Sequence, residues 1–160
     1  MNRVDKIINN ECYRQCYNVI QQLEEERIFC GHDMIHFLDV ARIAYILNLE
    51  SGLKIDKEII YATALLHDIG RHMQYIRNIP HHEASAQIAE GILKDSGFSQ
   101  KETENIILAI LAHRDKTGPG REDLSGIICR ADKISRNCFD CNAQMECNWP
   151  SDKKNMLLEY

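Results

Sequence analysis

A histidine and an aspartate stand side by side at the end of an apolar run, in the sequence YATALLHDIG. His67 and Asp68 are both ionisable, and both carry atoms that bind metal ions. Burying an imidazole and a carboxylate behind such a run costs free energy unless something compensates them. A divalent ion would neutralise the carboxylate and orient the imidazole, so the pair predicts a metal site.

Four further residues of the same chemical types lie at or beside apolar faces of segments with helical periodicity: His36, His81, His113 and Asp132. Imidazole nitrogen and carboxylate oxygen suit borderline and hard divalent ions, namely iron, manganese, zinc or magnesium. In a helical bundle such ligands point inward from different helices, so their separation in sequence is no objection. Taken singly, each histidine also fits an ordinary core or surface residue, and Asp132 fits a surface acid beside Lys133.

The elements that must position these residues are helices. Apolar residues recur at helical spacing over residues 34–50, 57–69, 83–95 and 124–137, and less regularly over 4–28. The segment 57–69 is apolar nearly all round, which predicts a central buried helix that Gly70 ends. Ser99 and Glu102 form a capping-box pattern that opens the helix leading to His113. Turn residues in DKTGPGRED predict a loop, and strict strand alternation is absent, so we expect an all-α fold.

Length and charge narrow the class of protein. The 160 residues, 44% of them hydrophobic, predict one domain over 1–160. A net charge of −5 and the absence of a basic block argue against stable nucleic-acid binding. No apolar segment approaches the roughly 20 residues that span a bilayer, and the polar start lacks a signal-peptide core. We therefore expect a cytoplasmic protein without membrane association; a homodimer is considered, although no pattern argues for it.

Three segments resemble, in order and spacing, the motifs of the HD-domain superfamily of metal-dependent phosphohydrolases. They read IHFLDVARIA, ALLHDIGR and RADKISR. The resemblance covers about residues 30–136 and leaves 137–160 as a cysteine-containing irregular tail. It implies an HD-domain-like helical bundle in which one divalent metal ion is bound by His36, His67, Asp68 and Asp132.

Two other segments, HHEASAQIAEGIL and ILAILAHRD, are similar to those that carry two additional histidines in members with a second metal ion. The resemblance implies that His81 and His113 bind this second ion and that Asp68 bridges the two. The neighbouring His82 leaves the register at His81 open.

The activity implied by the resemblance is hydrolysis of a small phosphate ester, with a nucleotide favoured, by metal-activated water. His67 and Asp68 are then the expected catalytic pair. Arg71 and Lys133 stand beside predicted ligands and are candidates for binding substrate phosphate, although each fits a solvated surface charge equally well. After His113 the chain lacks the Gly-Tyr-Pro element of the cyclic-dinucleotide branch, which argues against that substrate.

The tail contains a C-x-x-C pair, Cys138 and Cys141, followed by Cys147. A closed zinc site needs four ligands, which Cys129 or Cys30 could complete. The favoured interpretation is reduced thiols in an irregular segment, with Trp149 anchoring that segment on the bundle. The tail also keeps open a different class of function, a non-catalytic helical module that senses metal or redox state or binds a partner. The complete set of predicted ligands favours the enzyme.

Overall fold

The computed structural model describes residues 1–115 and 118–160. Their helices are α1 (Asn2–Asn9), α2 (Glu11–Leu23), α3 (Met34–Glu50), α4 (Lys57–Leu66), α5 (Arg71–Arg77), α6 (His81–Ser96), α7 (Gln100–Ala112) and α8 (Leu124–Ile134). Short 3-10 turns lie at Gly118–Gly120, Cys138–Asp140 and Ser151–Lys153. These described ranges contain no β-strand, so the all-α prediction is confirmed. The predicted loop DKTGPGRED includes residues 116 and 117, which lie outside the described residues.

Helix α4 is the centre of the fold, as its composition predicts. Six of its residues are buried: Ile60, Ala62, Thr63, Ala64, Leu65 and Leu66. It packs against α3 on one side and against α7, α6 and α8 on others, while α3 also packs against α8. Because α4 ends at Leu66 rather than at residue 69, His67 and Asp68 lie in the tight turn that follows it.

Other helix boundaries also differ from the sequence prediction. Gly70 does not end a helix; it precedes α5, a helix that the periodicity does not predict because none of its residues is fully buried. The next helix begins at His81 instead of residue 83, so His81 lies on its first turn. The segment 4–28 is two helices separated at Asn10, whose side chain accepts a hydrogen bond from Tyr13 N and caps α2.

Side-chain caps fix where the helices around the site begin. Asp33 accepts a hydrogen bond from His36 N at 2.8 Å and starts α3. The predicted capping box between Ser99 and Glu102 is present at the start of α7. Asp123 accepts from Gly126 N at 2.9 Å and starts α8. These local signals set the starting points from which the site residues are counted.

None of the described helices combines the length and the apolar character needed to cross a bilayer.

Candidate metal centre

The predicted ligands meet in one place, as two groups that share one carboxylate. The first group is His36, His67, Asp68 and Asp132, and the second is Asp68, His81 and His113. Within each group one ligand atom per residue lies within 4.8 Å of all the others. Helices α3, α6 and α8 and the turns after α4 and α7 contribute to this cluster.

Asp68 faces a different set of histidines with each of its two oxygens. Its Oδ1 lies 3.2 Å from His81 Nε2 and 3.7 Å from His113 Nε2. Its Oδ2 lies 3.4 Å from His67 Nε2. A carboxylate in this position can bridge two metal ions.

Asp132 closes the first group from the side of α8. Its Oδ1 lies 3.7 Å from His36 Nε2 and 3.8 Å from His67 Nε2. Its Oδ2 lies 3.8 Å from Arg136 Nη2, one helical turn further along the chain. Asp132 therefore belongs to the cluster and is not an isolated surface acid.

The other ring nitrogen of the two most buried histidines is held by the backbone. Ala64 O lies 2.7 Å from His67 Nδ1, and Ile110 O lies 2.6 Å from His113 Nδ1. A carbonyl oxygen can only accept, so Nδ1 carries a proton, and Nε2 is the ring atom that faces the site. Metal-binding histidines are usually fixed in this way.

Several atoms of the cluster are buried without a hydrogen-bond partner. They include His36 Nε2, His67 Nε2 and Asp68 Oδ1. An unpartnered buried polar atom costs about 1–3 kcal/mol, and one divalent ion would satisfy several such atoms together. The residues present therefore fit a divalent metal ion, and the nitrogen and oxygen donors suit the first-row ions.

The electrostatics keep most of these histidines in the form that binds metal. Burial lowers the pKa of His36 to about 4 and that of His81 to about 3. Burial also lowers the pKa of His113. These three rings are neutral at physiological pH, which is the protonation state of a metal-binding imidazole.

His67 and Asp68 form a charge-paired centre within the cluster. Burial lowers the pKa of His67, but the carboxylates of Asp68 and Asp132 outweigh it and raise the pKa to about 9. Burial likewise raises the pKa of Asp68, but His67, His32 and the other rings hold it well below its ordinary value. Asp68 is therefore an anion, as a metal-binding carboxylate must be.

The geometry distinguishes His81 from its neighbour. His81 is buried, and its Nε2 lies 3.3 Å from His113 Nε2 as well as beside Asp68. The ring of His82 is half-buried, and its Nε2 lies 4.0 Å from the Glu83 carboxylate. The structure thus directs His81, and not His82, into the cluster.

A family model described as HD domain matches residues 34–137, well over half of the chain. This chain belongs to the HD-domain family. Membership of this family places the chain in the superfamily of metal-dependent phosphohydrolases. A relative from Clostridium beijerinckii, described as an uncharacterized protein, is 43% identical over 160 residues, which is 100% of both chains. No solved structure matches the chain.

A cavity of about 240 Å³ opens onto the metal-binding cluster of this HD domain. Its walls carry five basic side chains: Arg27, Arg71, Arg114, Arg136 and Lys154. Phe29 and Trp149 add aromatic surface. Above the ligands, the cavity is therefore suited to an anionic molecule with an apolar or planar part.

The two predicted phosphate-binding residues are placed differently. Arg71 lines the cavity, and its Nη1 lies 2.8 Å from His81 Nδ1. Lys133 is exposed, lies outside the cavity lining and has Cys129 as a hydrogen-bond partner.

Trp149 packs under the Arg136 guanidinium, with 4.1 Å between Arg136 Cζ and the ring centroid. Trp149 therefore contacts the residues that follow α8 and also lines the cavity.

His32 and Glu24 belong to the site but were missed by the sequence reasoning. His32 Nε2 lies 3.4 Å from Asp68 Oδ2, and its Nδ1 lies 2.6 Å from Glu24 Oε1. Burial raises the pKa of Glu24, but hydrogen bonds with His32 and Tyr75 lower it to about 2. Both residues precede α3, where no periodicity marks them; the one available signal was the spacing of four residues between His32 and His36.

Proposed function

We propose that this chain hydrolyses a small phosphate ester, with a nucleotide as the favoured substrate class, at a two-metal centre built on Asp68. The observation that supports this proposal is the pair of buried ligand groups that share Asp68 beneath a cavity with basic walls. Two-metal sites with a bridging ligand suit in-line displacement at phosphorus.

The ligands of each ion follow from the two groups. His36, His67, Asp68 and Asp132 would hold one ion, and Asp68, His81 and His113 would hold the other. When bound, a divalent ion activates water for attack on phosphorus and polarises a phosphoryl oxygen. The four imidazoles favour iron, manganese or zinc over magnesium, which prefers oxygen ligands.

The walls of the cavity would bind and orient the substrate. Guanidinium groups form paired hydrogen bonds with phosphate oxygens, and Arg71 contacts His81, one of the predicted ligands. Ligand pockets run from about 300 to 1,000 Å³. A cavity of about 240 Å³ therefore favours a small ester. Trp149 and Phe29 offer faces on which a nucleobase can stack.

His32 is our candidate for the proton donor to the leaving group. The ring of His32 lies between two carboxylates, Glu24 at Nδ1 and Asp68 at Nε2. The oxygen of water forms the new bond to phosphorus while the ester P–O bond breaks; one water proton stays on the phosphate that forms, and the other replaces the proton that His32 gives up. The proton on His32 Nε2 then passes to the departing ester oxygen.

The first test compares wild type with Asp68→Ala by plasma mass spectrometry and by phosphate release from a panel of nucleotides and other phosphate esters. Asp68 is common to both ligand groups, so we expect the variant to lose both ions from the histidine centre and to hydrolyse at background rate. Asp39→Ala is the matched control, because Asp39 belongs to neither ligand group and is paired with Arg42 on the same helix.

Two outcomes would count against the proposal. Hydrolysis retained by an Asp68→Ala protein without metal at the histidine centre would defeat the mechanism. A wild-type protein that binds metal at this centre but releases phosphate from no ester would favour a metal-sensing or interaction module instead.

A further inference from the structure

We infer that the tail forms a second metal site of a different kind, a structural zinc ion held by Cys30, Cys138, Cys141 and Cys147. All four cysteines line one small cavity, together with Phe29, Gln144 and Lys154. This site is separate from the histidine centre and does not depend on the function proposed for it.

The tertiary structure selects the fourth cysteine, which the sequence left open between Cys129 and Cys30. Cys129 is buried on α8, where Lys133 and Asp132 are its neighbours, and it does not line this cavity. Cys30 lies in the loop between α2 and α3, which the fold brings against the tail. All four thiols are free.

The chemistry of the lining indicates zinc. Four of its lining residues are cysteines, and none of them carries a carboxylate or an imidazole. Four thiolates are a common tetrahedral ligand set of structural zinc sites, with Zn–S distances of about 2.3 Å. In the described residues the four sulfur atoms are not mutually within 4.8 Å, so binding of the ion would draw them together. The cavity of about 20 Å³ has room for roughly one water-sized sphere, which fits a single ion better than an iron–sulfur cluster.

The backbone around the C-x-x-C pair brings its two side chains to the same cavity. Cys138–Asp140 forms a 3-10 turn that ends at Cys141. Gln144 then ties both cysteines together, because its backbone N donates to Cys141 O at 3.2 Å and its Nε2 donates to Cys138 O at 2.7 Å. A C-x-x-C pair on a tight turn is the usual half of a structural zinc site.

The tail also lacks the apolar core that would hold it in place. Of residues 137–160, Ala143 alone is buried, while Met145 is 91% and Leu157 is 80% exposed. Apart from the two short 3-10 turns the segment has no regular structure. Segments that cannot bury apolar surface usually need a metal ion or a covalent link to keep one conformation.

Basic side chains compensate the charge of such a centre. Zinc with four thiolates carries two net negative charges. Lys154 lines the small cavity, and its Nζ donates to Cys147 O at 3.1 Å. Arg136 lies beside Cys30 and Cys138 in the wall of the larger cavity.

The position of the site gives it a role in the fold. Cys30, Cys138 and Cys147 line the large cavity above the histidine centre as well as the small one. The ion would therefore fasten the α2–α3 loop to the tail and hold the wall that carries Trp149 and Arg27.

The experiment measures metal on the full-length protein, purified with reductant, in an Asp68→Ala background that empties the histidine centre. We expect one equivalent of zinc to remain. After exchange for Co²⁺, we expect the sulfur-to-cobalt charge-transfer band and the intense visible bands of tetrahedral cobalt. Cys141→Ser should abolish both signals, whereas Cys12→Ser, which changes an exposed cysteine on α2, should keep them.

The wild-type chain keeps the inference falsifiable if a variant fails to fold. Zinc should protect four of its seven cysteines from a thiol reagent until a chelator is added. Four results would each overturn the inference. They are equal reactivity of all thiols with and without zinc, the absence of a thiolate–cobalt band, a disulfide among the four cysteines, and iron bound together with inorganic sulfide. When Cys141→Ser is made in the otherwise wild-type chain, loss of zinc with the histidine-site metal retained separates this inference from the proposed function.

Discussion

The orientation of each site histidine is decided by atoms within a few residues of it. His67 and His113 each lie three residues after the carbonyl that accepts from their Nδ1. Those carbonyls belong to the last turns of α4 and α7, where helix geometry leaves them without a backbone partner. The end of each helix thus satisfies its own carbonyl and directs the Nε2 atom into the site.

Substituting His32 tests its role as proton donor. Because His32 reaches Asp68 from outside the two ligand groups, His32→Asn should keep the metal content of wild type. Loss of a general acid typically costs about 10²-fold or more in kcat. We expect that loss of kcat with phosphate esters that have a poor leaving group, and a smaller loss with a nitrophenyl ester, because nitrophenolate departs without needing a proton. Steady-state kinetics measures kcat, and elemental analysis measures the metal content.

The matched control is His72→Asn. His72 lies on α5, which packs against α2. Its Nδ1 contacts Ile69 O, and it does not line the large cavity. It should leave kcat unchanged. Loss of metal in His32→Asn would instead make His32 a ligand.

At the scale of elements, the α4–α5 turn packs closely against α6, and this contact fixes the positions of Asp68 and Arg71 in the site. Gly70 N donates to Ser85 Oγ at 2.9 Å. A Cβ on Gly70 would run into Ser85 N and would lie 2.7 Å from Ala84 C, both of them backbone atoms of α6. Only glycine allows the turn to lie this close to the helix.

We therefore expect Gly70→Ala to lower the free energy of unfolding by about 3 kcal/mol, because backbone atoms must move to admit the methyl group. Urea denaturation followed by circular dichroism measures the change. Gly91→Ala is the control on α6, where an added Cβ meets nothing within 4 Å. It should raise stability by roughly 0.5–1 kcal/mol through helix propensity. Equal effects of the two substitutions would contradict the close contact.

At the scale of the whole molecule, Arg3 ties the first helix to the starts of two later ones. Its Nε donates to Glu58 Oε2 at 2.7 Å, and its Nη1 donates to Glu102 Oε1 at 2.8 Å. Its guanidinium also lies over the Phe98 ring, 4.2 Å from the centroid. These contacts join α1 to α4 and α7, which are far apart in sequence.

Arg3→Ala should lower stability by about 1–2 kcal/mol at neutral pH, since it removes two charge-assisted hydrogen bonds that are only partly exposed. The hydrogen bond from Arg3 lowers the pKa of Glu102 from 4.5 to about 2, and Arg3 also lowers the pKa of Glu58. A carboxyl group whose pKa is lower in the folded state stabilises the fold when the pH is above the ordinary pKa of that group. This stabilisation is lost as the pH falls to the pKa of the folded state.

The stability difference between wild type and Arg3→Ala should therefore shrink as the pH falls from about 4.5 toward about 2. Urea titrations at a series of pH values measure it. Arg42→Ala removes an exposed pair within one helix and should cost less than about 0.5 kcal/mol. A difference that is independent of pH would show that Arg3 acts through its packing on Phe98 alone.

The elements that sequence reasoning identified are those with a local signature. The helix from Met34 to Glu50 agrees with its prediction because an apolar pattern and a stop are both written in the segment itself. Helix α5 escaped because it has no buried residue and therefore no apolar face to recognise. The division at Asn10 escaped because two short helices with similar spacing look like one irregular pattern.

The sequence by itself determined the class of fold, the family resemblance and the residue types at the histidine centre. These depend on short-range spacing, capping and side-chain chemistry, which are present in any stretch of the chain. Only the tertiary structure decided that His81 rather than His82 enters the cluster, that His32 reaches Asp68, and that Cys30 rather than Cys129 meets the tail cysteines. Such choices depend on how helices and loops distant in sequence pack together, and no local pattern carries that information.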